Sequence, residues 1–199
     1  MLKKKTKSKK KTSHKYKKNK PKIKTIFITC RGNTCRSPTA QYILEAIHAN
    51  NKKIKFNSCG TKIRKKNAPL TINMRKTLKK MNLKKALKKA QNHKSKSCTC
   101  RHLELVGESN GTFYYVEKKI RNDLRKLGQE CIKKNPKLKL PKFKMLNTSN
   151  IIDPYDYTCQ SLIAKNSKKK TCSRKDKKKS KLIYRKTVKQ IKKSTQNIH

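Results

Sequence analysis

Residues 30–38 read CRGNTCRSP, and of the eight cysteines only Cys30 is followed by an arginine six positions later. A loop of this kind, set between a strand and a helix, can turn its backbone N–H groups toward one anion. The helix N-terminus adds partial positive charge at the same place. Arg36 can return to that anion with a bidentate guanidinium. An anion held there would lie above Cys30, and the positive surroundings favour its thiolate form. A thiolate beneath a tetrahedral phosphate is a nucleophile placed for phosphoryl transfer. The other reading of Cys30 is a buried cysteine at a strand end. No G-x4-G-K-[ST] occurs among the five glycines, which excludes Walker-type phosphate binding.

The elements that must position this loop follow from periodicity. The β-branched run Ile23–Thr29 predicts a first strand, and Ser37-Pro38 opens a helix, with proline in a first turn where its missing N–H does no harm. Tyr42, Ile43, Ala46 and Ile47 continue at helical spacing. A second strand fits Ile54–Asn57, ending in SCGT. A helix fits 70–81, with Ile72, Met74, Leu78 and Met81 as its apolar positions. FYYVE at 113–117 predicts a third strand. A helix follows over 120–132 with Ile120, Leu124 and Leu127 inward, and FKMLN at 143–147 predicts a fourth strand. IIDPYDY is a turn-rich loop, a helix fits Thr158–Ala164, and KLIYRKTVKQIKKS closes with Tyr184, Val188 and Ile191 at i, i+4 and i+7. Strands alternating with helices predict an α/β fold with a parallel sheet, here four-stranded with helices on both faces. Ligands of such sheets bind at the carboxyl ends of the strands, where Cys30 stands.

Composition sets the outer limits. The chain has 199 residues, 59 Lys+Arg against 9 Asp+Glu, and a formal charge of +50, with 32% hydrophobic residues. That is enough for one domain with a lean core. Residues 1–24 hold 13 lysines and no acid. The expected organisation is a disordered basic tail over 1–22, a domain over 23–164, a second basic insert over 165–180 and a helix of the same domain over 181–195. A field of this sign attracts nucleic acid, acidic membrane or phosphorylated protein, although biased residue usage alone would also produce it. No apolar run reaches the roughly 18 to 20 residues that span a membrane. The charged N-terminus is not followed by an apolar stretch, so no secretory leader is expected. The cysteines are therefore expected to be reduced thiols in a cytoplasmic protein, with the nucleus open to so basic a chain. Cys98, Cys100 and His102 lack the spacing of zinc ligands, so neither metal nor cofactor is expected.

The loop sequence resembles the active-site loop of low-molecular-weight protein tyrosine phosphatases, whose usual pattern is Cys-x-Gly-Asn-x-Cys-Arg-Ser-Pro. NSCGT resembles the family's Ser-Ala-Gly-Thr after the second strand, and DPYDY its Asp-Pro-Tyr/Trp loop. The resemblance implies a metal-free phosphatase acting on phosphotyrosine proteins or peptides through a cysteinyl-phosphate. Cys30 would be the nucleophile, Arg36 the phosphate clamp, Ser37 the donor that activates the sulfur, and Asp153 the general acid. Read alone, Asp153 is equally an ordinary Asp-Pro turn. Asn33 would hold the loop Arg31, Gly32, Asn33, Thr34 and Cys35, supported by Ser58 and His93. Tyr155 and Tyr157 would line the mouth or be ordinary loop aromatics. Cys35 would pair with Cys30 under oxidation, or pack at the helix start.

Several positions depart from the family pattern. Arg31 replaces an aliphatic residue, Thr34 an isoleucine, and Arg64 the aromatic of the specificity loop, which turns the cleft toward acidic phosphopeptides. Residues 97–112 resemble an insertion. Two further readings remain: a catalytically weak phosphatase fold acting as a polyanion-binding module, and an arsenate reductase. The latter uses two cysteines after the third strand, where this chain has Val116 and Glu117.

Overall fold

The structure, a computed structural model, describes residues 23–158, 161, 171–196 and 198. Four strands form one parallel sheet in the order β2-β1-β3-β4: β1 is Lys24–Cys30, β2 Ile54–Gly60, β3 Thr112–Tyr115 and β4 Lys142–Met145. β1 is central, with Ile28 beside Ser58 of β2 on one side and Tyr114 of β3 on the other. The helices are α1 (Arg36–Ile47), α2 (Ile72–Lys80), α3 (Lys84–Ala90), α4 (Cys100–Glu108), α5 (Lys118–Lys134) and α6 (Arg174–Thr195).

Alternation along β1 divides the core. Ile26, Ile28 and Cys30 face one side, where they meet Tyr42, Ile43 and Leu44 of α1, Met74 and Leu78 of α2, Ala86 and Ala90 of α3, and Tyr184, Val188 and Ile191 of α6. Phe27 faces the other side with Phe113 and Tyr115, against Leu103 and Val106 of α4 and Ile120 and Leu124 of α5. The predicted α/β fold with helices on both faces is the one observed.

Several expectations change. Ile47 and Ile72, placed inward by spacing, are exposed, while Leu70 just before α2 is fully buried. The span read as an insertion contains α4, whose Leu103 and Val106 are buried in the second core. The final helix starts at Arg174, inside the span read as a basic insert. Ser173 and Asp176 form a capping box there, which organises a helix start that the surrounding lysines conceal in composition. The basic tail over 1–22, residues 165–170 and most of the helix expected over Thr158–Ala164 lie outside the described residues.

The cysteines are not all reduced thiols. Cys59 is bonded to Cys98 because the segment before α4 pairs with the end of β2, and Cys100 is bonded to Cys131 because α4 packs on α5. His102 stacks on Phe27, with ring centroids 4.9 Å apart, so the Cys-x-Cys-x-His triplet does not converge. Among the described residues no three His, Cys, Asp or Glu side chains are grouped as a metal site, and no helix is long and apolar enough to cross a membrane.

Candidate active site

β1 ends at Cys30 and α1 begins at Arg36, so the five residues between them form a loop at the carboxyl end of the sheet. Cys35 gives α1 no side-chain cap, which leaves the first N–H groups of the helix to the loop and to whatever it holds. Asn33 takes φ 51°, a left-handed conformation that Asn tolerates better than most side chains. Gly60, at the end of β2, lies so close beneath the loop that a Cβ there would come within 2.6 Å of the Arg31 carbonyl oxygen. A side chain at position 60 would push the loop off the sheet.

Asn33 uses all its polar groups to brace the loop. Its Nδ2 donates to Ser37 Oγ at 3.1 Å and to Ser58 Oγ at 2.9 Å. Its Oδ1 accepts the Lys96 N–H at 3.0 Å, and its carbonyl oxygen meets His93 Nε2 at 2.7 Å. Burial, with Lys96 adding to it, holds the His93 imidazolium down despite the Asn33 carbonyl, so the ring is neutral. A neutral ring that donates from Nε2 must accept at Nδ1, where the Tyr42 hydroxyl lies at 2.9 Å. Tyr42 therefore donates to His93, and His93 donates to Asn33. The Ser58 hydroxyl in turn donates to Gln41 Oε1 at 2.7 Å.

Cys30 Sγ lies 3.0 Å from Ser37 Oγ and accepts the Asn33 N–H at 3.3 Å. With Asn33 donating to its oxygen, Ser37 has one hydrogen to place, on Cys30 Sγ or on the Cys59 carbonyl at 3.4 Å. A sulfur that becomes anionic is the better acceptor. The Ser37 hydroxyl and the Asn33 N–H are thus the two hydrogen-bond partners at Cys30 Sγ.

Arg36 is 2% exposed and is engaged through both Nη atoms. Nη1 donates to Glu117 Oε2 at 2.9 Å and to the Ile151 carbonyl at 3.1 Å, and Nη2 meets Asp153 Oδ2 at 2.5 Å. Burial works to lower the Arg36 pKa, but the charges of Asp153 and Cys30 and the Glu117 contact outweigh it and hold it above its ordinary value. Burial raises Asp153 above the usual carboxylate range, although Arg36 and the Tyr155 N–H pull the other way. A half-buried carboxyl raised in this way and bonded to Arg36 can give and take a proton. Burial and the Asp153 charge push the Cys35 thiol well up, so Cys35 is a poor thiolate.

The residues expected from sequence fall into two hydrogen-bonded groups at the same end of the sheet: Cys30, Asn33, Ser37, Ser58 and His93 form one, and Arg36 with Asp153 belongs to the other. Arg31 is exposed, Gly32 and Thr34 are half-buried, and the Thr34 carbonyl accepts the Thr71 N–H. Arg64 reaches Tyr155, with Nη1 3.0 Å from its hydroxyl and the guanidinium 5.2 Å from the ring centroid, while Tyr157 is half-buried on the same 3-10 turn. Sequence reasoning missed Glu117, Tyr42 and Gln41. Glu117 is one of only nine acids, but no spacing to a partner marks it in the sequence. Gln41 was visible at four-residue spacing from Ser37 on the new helix.

Residues 25–106 match the sequence profile of the family described as low molecular weight phosphotyrosine protein phosphatase. No curated protein matches the sequence. Solved structures share the fold. Vibrio vulnificus Wzb in complex with benzylphosphonate is 17% identical at a TM-score of 0.58, covering 87% of this chain and 95% of that one. The low molecular weight protein tyrosine phosphatase of T. tengcongensis is 17% identical at 0.56, covering 87% and 95%. That of Bacillus subtilis, solved in solution, is 17% identical at 0.56, covering 86% and 91%.

Proposed function

We propose that this chain, whose residues 25–106 match the low molecular weight phosphotyrosine protein phosphatases, hydrolyses phosphotyrosine in proteins or peptides through a cysteinyl-phosphate. The observation that carries the reading is the Cys30 thiol, held 3.0 Å from the Ser37 hydroxyl and beneath an arginine that is itself bonded to Asp153.

In the resting site Asp153 occupies a guanidinium nitrogen that a phosphate would use. An arriving phosphate dianion competes for Arg36 and displaces the carboxylate. Its charge favours the protonated form of Asp153, which is already raised by burial. The Cys30 thiolate attacks phosphorus, the ester P–O bond breaks, and the departing phenolate takes the Asp153 proton. Asp153, now ionised, removes a proton from water as that water attacks the cysteinyl-phosphate. Inorganic phosphate leaves, and Ser37 stabilises the thiolate that departs. The loop, Arg36 and Asp153 supply this chemistry without a metal. Cys98 and Cys100, which an arsenate mechanism could have recruited, are bonded to Cys59 and Cys131.

Substrates are phosphotyrosine segments, and the lysine-rich chain can also hold nucleic acid or acidic surfaces non-specifically. The expected cytoplasmic location has to be set against the Cys59–Cys98 and Cys100–Cys131 disulfides, which are more usual in oxidising compartments. Alkylation and mass analysis of protein taken directly from cells decides the point. Free thiols at Cys59 and Cys98 support the cytoplasm, and intact bridges oppose it.

The direct test is turnover of para-nitrophenyl phosphate by the full chain in EDTA. We expect turnover in the unmutated protein. In Cys30→Ser we expect none, with vanadate binding retained because the loop's donors remain. Turnover by Cys30→Ser would overturn the mechanism.

A further inference from the structure

Residues 62–66 read Lys-Ile-Arg-Lys-Lys, four cations in five positions, directly beside the phosphate loop. Their backbone is fixed. The Thr61 N–H donates to the Cys30 carbonyl at 3.0 Å and the Lys62 N–H to the Arg31 carbonyl at 2.9 Å. At the far end Ser95 Oγ donates to the Lys65 carbonyl at 2.7 Å, and the Asn67 N–H donates to the Ser95 carbonyl at 2.9 Å. Ile63 is half-buried under the loop, while Arg64, Lys65 and Lys66 point to solvent, as does Arg31 on the phosphate loop itself. Asp123 takes Lys62 at 3.3 Å. Among the described residues no ion pair engages Arg31, Arg64, Lys65 or Lys66, and the exposed Asp156 is the other acid of the mouth.

We propose that this docked loop selects phosphotyrosine segments flanked by acidic residues, with Arg64 as the specificity-determining side chain. The inference rests on the phosphatase reading above and names its substrate class. Arg64 lies on Tyr155 and donates to its hydroxyl, so its charge is held at the rim beside an aromatic face. Tyr155 can pack against the phosphotyrosine ring, and the guanidinium then meets the residues next to it. Arg31 and Lys65 extend the same positive rim.

A charge of +50 attracts every anion, so a preference of this kind has to be local to count. Exposed charges are screened over about 8 Å at physiological salt. Contacts at the rim survive that screening and remote lysines do not. α5 supplies the comparison, because it starts at the site end of the sheet and its 17 residues run back from it. At about 1.5 Å per residue its last turn, with Lys133 and Lys134, lies roughly 25 Å away.

The test reads binding rather than turnover. Full-length Cys30→Ser protein is titrated with fluorescein-labelled phosphotyrosine peptides at about 0.15 M salt. One peptide carries two glutamates on each side of the phosphotyrosine, the second carries serines, and the third is the acidic peptide without phosphate. The acidic phosphopeptide should bind roughly tenfold more tightly than the serine phosphopeptide, the sum of two or three exposed ion pairs. Arg64→Glu/Lys65→Glu should reduce that ratio to about twofold or less, and Arg64→Leu should reduce it in part. Lys133→Glu/Lys134→Glu should leave the ratio unchanged. Equal affinity for the two phosphopeptides overturns the proposal, as does an equal fall of the ratio in the remote pair. Binding of the unphosphorylated peptide as tightly as its phosphorylated form also overturns it, since the surface would then be a general anion binder. Failure of the unmutated protein to turn over para-nitrophenyl phosphate would overturn the catalytic reading, while the binding ratio still decides this one.

Discussion

Arg36 shows what a single buried charge demands. A guanidinium taken out of water costs several kcal/mol unless its donors are met by charge and by hydrogen bonds. Glu117, the Ile151 carbonyl and Asp153 meet them here. In the proposed reaction Glu117 keeps its place when phosphate arrives, and Asp153 is the partner that lets go. Its role can be separated from a merely structural one by the leaving group. Asp153→Ala should slow phenyl phosphates with poor leaving groups by about 10² to 10⁴, and para-nitrophenyl phosphate far less, because nitrophenolate departs nearly unaided. Burial holds the Asp153 pKa above the ordinary carboxylate value. An acid works only while protonated, so the rate should fall as pH rises through that raised value, and Asp153→Asn should flatten this falling limb. Equal slowing across the leaving-group series would remove Asp153 from the acid role. Cys30, Arg36 and Ser37 were readable in sequence because phosphoryl transfer fixes residue types at short spacing, and Asp153 only through the resemblance of its Asp-Pro loop. Glu117 was not, because one acid after a strand carries no spacing of its own.

At the scale of elements, legibility followed periodicity. β1, α1, α5 and the core of α6 carry apolar residues at the period of their structure, and each was readable. α3 has the sequence KKALKKA and buries only Ala86 and Ala90, too little apolar pattern to stand out from lysine-rich surroundings. α4 carries one cross-linked cysteine, Cys100, with only Leu103 and Val106 as large buried residues, and reads as an insertion until the fold brings it against β1 and β3. The disulfides themselves join residues 39 and 31 positions apart, a pairing that only the folded chain decides. The Cys59–Cys98 bridge acts on the site's scaffold. Cys98 lies two residues after Lys96, whose N–H holds Asn33, and its own N–H donates to the Gly60 carbonyl at 2.9 Å. Closing loops of this length restricts the unfolded chain by about 3 to 4 kcal/mol each. Cys100→Ser/Cys131→Ser should therefore lower unfolding free energy by about 2 to 4 kcal/mol in urea titrations. Para-nitrophenyl phosphate turnover below the transition should persist, because this bridge joins α4 to α5 away from the phosphate loop. A variant as stable as the unmutated protein would show that the bridge does not form in solution.

The whole molecule poses a question of reach. Fifty net positive charges surround a site whose proposed acid must stay protonated, and positive charge favours its ionised form. Two kinds of interaction compete at Asp153. Burial disfavours its charge, and Arg36, 2.5 Å away, stabilises that charge by contact. The lysines act from the surface: Lys118 and Lys119 at the start of α5 are exposed, as are Lys62, Lys65 and Lys66 on the neighbouring loop. Their effect passes through solvent, whose ions screen it over about 10 Å at 0.1 M and about 30 Å at 0.01 M. Contact and burial are not altered by that change of salt. If the local interactions govern, the falling limb of the rate profile moves by only a few tenths of a pH unit between those two salt concentrations. If the surface field governs, lowering the salt extends it over the site and pushes the limb toward acid by about a unit or more. Rate profiles for a small neutral-ring phosphate such as phenyl phosphate separate the cases, because that substrate has no flanking charges for the Lys62–Lys66 loop to read. We expect the small shift. A shift of a full unit would mean that the lysines set the protonation of Asp153, and that the acidity of the site is a property of the surface rather than of the loop.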